Sequence, residues 1–252
     1  MASARKVHLT QRDLAILQEL TTRRVDTLDA LHDRHFSGLT RERARNRLGQ
    51  LSTAGFLSRH AIEQPGGRAT SVYTLGRSAP AALRLRSLAG EHFRGRRFTP
   101  ALRETSIPHQ LAINRVGDLL ATTLIPEHLL EAGARDDRHH RPDAAYRAAA
   151  ADERGRDLVL VEVDLGHYSR SRILAKVQTF LAHDQARSTL FVTTSAERAE
   201  LIGRWIRDAH GAAVMERIQL CTLDELEDGH PLDPGTEPDQ RNTTTTMDGR
   251  RP

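Results

Sequence analysis

The chain has 252 residues, 38% of them apolar, enough for one large or two modest cores; its single cysteine, Cys221, excludes an internal disulfide and every multi-cysteine metal site. With 28% charged residues, no apolar run near the about 18 that span a bilayer, and no apolar stretch after Met1, a soluble cytoplasmic chain without a membrane span is expected. The net charge of +4 conceals two halves of opposite sign: residues 1–100 hold 17 Arg, one Lys and 8 acids, the remainder 18 Arg, one Lys and 25 acids. A basic part that pairs with polyanions is therefore joined to an acidic part with another task, because arginine binds phosphate bidentately and releases condensed counterions.

Thr10 precedes Leu14, Leu17 and Leu20 at helical spacing, and Val25, Leu28 and Leu31 repeat the beat, predicting two short helices. Thr40 then caps a third helix that ends near Gly55. On it Ala44, Leu48 and Leu51 form one stripe, with Glu42, Asn46, Gln50 and Thr53 opposite, edged by Arg41, Arg43 and Arg45. The stretch from Gly55 to Gly76 reads as strand, Pro-Gly-Gly turn and strand, with Arg68 at the tip. Three helices and a hairpin predict a winged helix-turn-helix over residues 8–78. In that fold the third helix enters the major groove, where Asn46 and Gln50 suit adenine and Arg43 or Arg45 suit guanine or phosphate.

Residues 79–106 carry Arg84, Arg86, Arg94, Arg96, Arg97 and Arg103 against two acids, predicting a basic connector of helix and loop that extends a DNA footprint. Beyond it, residues 107–228 alternate helix and strand. Leu111, Val116, Leu119 and Leu120 mark a helix whose His109, Asn114 and Asp118 are polar, and Asn114 and Asp118 face one way, toward a candidate site. "RPDAAYRA" is a short extended segment, "DLVLVEVDLG" a strand buried on both faces, and residues 169–183 a helix. Two more strands follow around another amphipathic helix, giving helices packed about a mixed sheet, so the whole chain is expected to be α+β or α/β. Residues 229–252, rich in Pro, Gly and Thr, are expected to be disordered.

Period two puts Glu162 and Asp164 on one side of their strand, and carboxylates in a buried strand need a cation or an arginine. With Asp143 on the neighbouring strand they offer the hard oxygens that Mg²⁺ prefers. Lys176 is singular in a chain of 35 arginines and two lysines. Its ammonium is compact, and it lies at the edge of the stripe made by Ile173, Val177 and Phe180, within reach of the sheet. His109, His139 and His140 have the chemistry of ligands or general bases, but with thirteen histidines scattered through the chain they are read as polar surface; Tyr168 and Ser169 follow the carboxylate strand, where a phosphate could approach a helix N-terminus.

"RPDA", "LVLVEVDLG" and "ILAKVQTFL" together resemble the PD-(D/E)xK nuclease pattern. With the preceding winged helix and "PHQLAIN", residues 8–226 resemble the replication-relaxation family of plasmids and other mobile elements. The resemblance implies that Asp143 and Glu162 hold Mg²⁺, joined by Asp164, and that Lys176 is the pattern's lysine moved from strand to helix. It implies duplex DNA, and relaxase or replication proteins of the element, as partners. One departure stands out: Asp164 occupies the position of the usual lysine, so either Lys176 replaces it in space or the domain binds DNA without cutting, as a regulator or accessory factor. A repressor with a ligand-sensing second domain fits the order of parts but leaves the acidic strand without a purpose.

Overall fold

The computed structural model describes residues 7–63, 67, 69–85, 102–127, 130 and 140–229. The expected wing-tip Arg68, most of the connector with Arg86, Arg94, Arg96 and Arg97, His139, and the tail from residue 230 lie outside the described residues. The chain is α+β, built on two sheets, one antiparallel and one mixed.

The first sheet forms within helices α1 (Gln11–Arg23), α2 (Leu28–His35) and α3 (Arg41–Thr53). Thr10, Thr27 and Thr40 cap them, each accepting a hydrogen bond from a backbone N–H of the first turn. Val25 does not continue the second helix as its spacing suggested. Arg24 takes a positive φ of 65°, which ends α1 and frees Val25–Thr27 to form strand β1. That strand joins the edge of the hairpin β2 (Leu57–Glu63) and β3 (Ala69–Leu75), in the order β1-β3-β2. Gly76 follows β3 because a Cβ there would sit 2.3 Å from the carbonyl oxygen of Gly55. The core contains Leu17, Leu20, Leu31, Leu48, Leu51 and Tyr73, together with Ala79 and Leu83 of helix α4 (Ala79–Leu85), so the start of the expected connector packs into this core.

Helix α5 (Ile107–Leu119) opens the second half, followed by β4 (Ile125–Pro126), β5 (Ala144–Arg147), β6 (Leu158–Asp164), α6 (Arg170–Leu181), β7 (Ala186–Thr193), α7 (Ala196–His210), β8 (Ile218–Thr222) and α8 (Leu223–Glu227). The strands lie in chain order; β4, β5 and β6 run antiparallel, and β6, β7 and β8 parallel, their crossovers made by α6 and α7. Every residue of β6 is buried because it is central and covered on both sides. Leu158 and Leu160 pack with Ile173, Val177 and Phe180 of α6 and with Ile202 and Ile206 of α7. Val159, Val161 and Val163 pack oppositely with Ile113 and Val116 of α5 and Leu226 of α8. Glu162 and Asp164 therefore enter the α6/α7 layer.

The two halves meet along α5. Val25 and Val72 of the first sheet share a small apolar cluster with Ile107. Asn114 Nδ2 donates to the carbonyl oxygens of Arg23 (3.1 Å) and Val25 (2.6 Å). Asp118 accepts two hydrogen bonds from the Arg23 guanidinium, at 2.7 and 2.8 Å. Asn114 and Asp118 do face one way, as expected, but toward the first half and not toward the carboxylates.

Candidate functional site

Residues Ala144 and Val161 are antiparallel partners, so one step further along the register sets Asp143 opposite Glu162. Cross-strand neighbours lie close enough for their charges to interact strongly. Asp143 is pinned in place: its Oδ2 accepts from the backbone N–H of Val163 at 2.8 Å and lies 3.2 Å from His109 Nε2. That imidazole nitrogen also lies 2.8 Å from the carbonyl oxygen of Val163. Burial opposes a charged His109, but the hydrogen bond and charge of Asp143, the Val163 carbonyl and the charge of Glu162 outweigh it and raise its pKa to about 9. Read as surface from the sequence, His109 instead belongs to this centre. No spacing signal could have found it, since it lies 34 residues before Asp143.

Glu162 is fully buried, and Lys176, on the first helix over its face, is 3% exposed. Lys176 Nζ lies 2.8 Å from both Glu162 carboxylate oxygens and donates to Oε2, while a second hydrogen bond, of 2.7 Å, goes to the carbonyl oxygen of Arg141. Tyr168 and Phe180 cover the ammonium with ring centroids 5.6 and 5.7 Å away. Glu162 Oε1 has no hydrogen-bond partner. Burial, then the charge of Asp143, hold the Glu162 carboxyl well above the usual carboxylate range, against the opposing pull of Lys176 and His109. Glu127, whose N–H donates to the Asp143 carbonyl oxygen, is raised for the same two reasons. It was also missed from the sequence.

Asp164 corrects the expectation of three converging metal carboxylates. Its Oδ2 accepts from Arg198 Nε of α7 at 2.7 Å, and its Oδ1 from the backbone N–H of Gly166 at 2.9 Å. Arg198 continues to the carbonyl oxygen of Tyr168 at 2.6 Å. This carboxylate ties the end of β6 to α7 and to the loop entering α6. Among the described residues no three His, Cys, Asp or Glu side chains converge to hold a metal ion. The carboxylates that could hold a hard cation are Asp143 and Glu162, facing each other across adjacent strands, with Glu162 already held by its ion pair to Lys176.

The third helix of the first half presents the expected face. Ala44, Leu48 and Leu51 are buried, and Arg41, Arg43, Arg45, Asn46 and Gln50 are exposed. Arg41 pairs with Asp29 of α2, and Gln50 Oε1 accepts from Arg47 Nη1 at 3.0 Å. Arg47 is structural: it reaches the fully buried Asp13 of α1, with Nε 3.0 Å from Oδ1. Among the described residues Arg43, Arg45 and Asn46 have no such side-chain partner, so they are the part of this face open to a ligand.

A two-sheet α+β chain with a buried carboxylate–lysine centre and a basic helix face is the class defined by this geometry. The replication-relaxation family model matches residues 17–189, and the chain belongs to that family. Neither the curated proteins nor the solved structures hold a match to it. No helix among the described residues is long and apolar enough to cross a membrane.

Proposed function

We propose that the chain is a DNA-binding protein of a plasmid or other mobile element whose second half carries a nuclease-like centre. The observation that carries this reading is the approach of Lys176 Nζ to Glu162 at 2.8 Å, with Asp143 opposite on the next strand. Three residues distant in the chain and costly to bury have been brought together, and structural stability alone would be as well served by apolar residues. Asp143 and Glu162 would hold Mg²⁺, which when bound supplies an activated water for phosphodiester hydrolysis. The positive charge of Lys176, fixed beside Glu162, would offset charge developing on a phosphate held at the carboxylate pair. His109 fixes the orientation of Asp143.

The first half has the order of a winged helix-turn-helix, with α3 as the helix that enters the major groove. Arg43, Arg45 and Asn46 would read or grip the duplex, each good bidentate base contact contributing roughly 1–3 kcal/mol of discrimination. Relaxase or replication proteins of the element are the partners that this reading implies.

A second reading, a non-catalytic DNA-binding regulator or relaxation-complex accessory factor, is favoured by Asp164, which is committed to Arg198, and by the closed Lys176–Glu162 pair. Supercoiled plasmid incubated with the protein and Mg²⁺ or Mn²⁺, beside Glu162→Ala, separates the two. Nicking that the variant lacks supports the enzyme; retarded plasmid without nicking by either protein supports the accessory factor.

A further inference from the structure

A cleft of about 490 Å³ opens beside Asp143, between the two halves, and includes Arg24, Arg103, Ser106, His109 and Glu127 in its lining. Its carboxylates, Asp143 and Glu127, are matched by two guanidiniums. Arg24 is half-buried, and among the described residues its side chain makes no hydrogen bond or ion pair; Glu127 is the charge that acts on it. Arg103 is exposed and equally without a side-chain partner among the described residues. Ser106, at the N-terminus of α5, makes no capping hydrogen bond with its hydroxyl, which lines the same wall.

The backbone at Arg24 is held in an arrangement that L-residues rarely adopt, φ 65° and ψ −36°. The two carbonyls clamped by Asn114 are those of Arg23 and Val25, the residues on either side. The second half thus holds the kink that aims a first-half arginine at the second half's centre. The same arginine also lines a neighbouring groove of about 810 Å³ with Arg59 and Arg77, next to the end of α3.

We propose that this cleft takes a phosphate of the bound DNA backbone, held by Arg24 and Arg103 with the Ser106 hydroxyl, and so places a phosphodiester beside Asp143. The inference rests on the DNA-binding reading above and deepens it: the duplex contacts both halves, and Arg24 positions the strand for the carboxylate centre. Arg24 and Arg103 are positioning residues.

The test is fluorescence anisotropy of a labelled mixed-sequence duplex over a salt series, with wild type, Arg24→Gly, Arg24→Lys, Arg103→Ala and an Arg43→Ala/Arg45→Ala double variant. Glycine suits the positive φ, so Arg24→Gly removes the guanidinium while leaving the melting temperature equal or higher. Arg103→Ala, at an exposed position, repeats the test independently of that backbone. We expect Arg24→Gly and Arg103→Ala each to lower the slope of log K against log salt by about 0.9, with roughly tenfold weaker binding at low salt, and Arg24→Lys to retain the slope. Wild-type slope and affinity in both cleft variants, alongside weakened binding in the α3 variant, overturn the cleft proposal and leave the DNA-binding reading standing. A wild-type protein that binds no duplex at low salt overturns both.

Discussion

Lys176 and Glu162, 14 residues apart on a helix and the strand before it, form a buried ion pair in which the ammonium lies 2.8 Å from both carboxylate oxygens yet hydrogen-bonds only one. The other oxygen is buried and held by the charge of the ammonium, without a well-directed hydrogen bond. Such a pair contributes little to stability relative to apolar residues of equal volume, but breaking it exposes each partner to an uncompensated interior.

Lys176→Met should therefore destabilise the fold by about 3–5 kcal/mol in urea unfolding, and the double variant Lys176→Met/Glu162→Leu should recover most of that loss. Neither variant should nick plasmid. A double variant as unstable as the single one would mean that the pair is a true structural anchor.

His109 links stability to pH. Its folded pKa, about 9, lies above the ordinary histidine value of 6.5, so its contribution is complete below about 6.5 and is lost as pH rises through 9. The stability difference between wild type and His109→Gln, on the order of 2–3 kcal/mol at pH 6, should shrink across that interval. Melting curves at several pH values measure it; a constant difference would remove the charged His109–Asp143 contact.

Asp164 and Arg198 should behave as a structural couple. Asp164→Asn and Arg198→Met each leave a buried group with its charge or dipole unmatched, and each should lower stability by about 2–4 kcal/mol. Nicking per folded molecule should stay within a few-fold of wild type. Selective loss of Mg²⁺-dependent nicking in a fully folded Asp164→Asn protein would restore this carboxylate to the metal set.

Asn114→Ala removes both hydrogen bonds that α5 makes to the carbonyls around Arg24. A loss of about 1–3 kcal/mol is expected, with faster proteolysis between the halves and a larger radius of gyration in solution scattering. Unchanged scattering and proteolysis would mean that the apolar cluster of Val25, Val72 and Ile107 and the Arg23–Asp118 pair suffice to hold the halves together.

Much of this protein was legible from its residues. The stripe of Ala44, Leu48 and Leu51 named the buried face of α3, and thereby the exposed face with Arg43, Arg45 and Asn46, because helical period alone decides that. Period two put Glu162 and Asp164 on one face of β6, and the edge position of Lys176 on its helix put an ammonium within reach. Local periodicity has nothing to say about Val25, where a single positive φ at Arg24 turned a helical beat into a strand.

What the tertiary structure decided is which partner each charged group meets. Two carboxylates on one face of a strand are 2 residues apart, yet α6 passes over Glu162 and α7 over Asp164, so one meets Lys176 and the other Arg198, 34 residues away. His109 reaches Asp143, and Asn114 and Asp118 turn to Arg23, for the same reason. The face that a side chain occupies follows from short-range backbone geometry written in consecutive residues, whereas the layer packed against that face is set by how distant helices bury their apolar stripes, and only the closed fold brings those surfaces together.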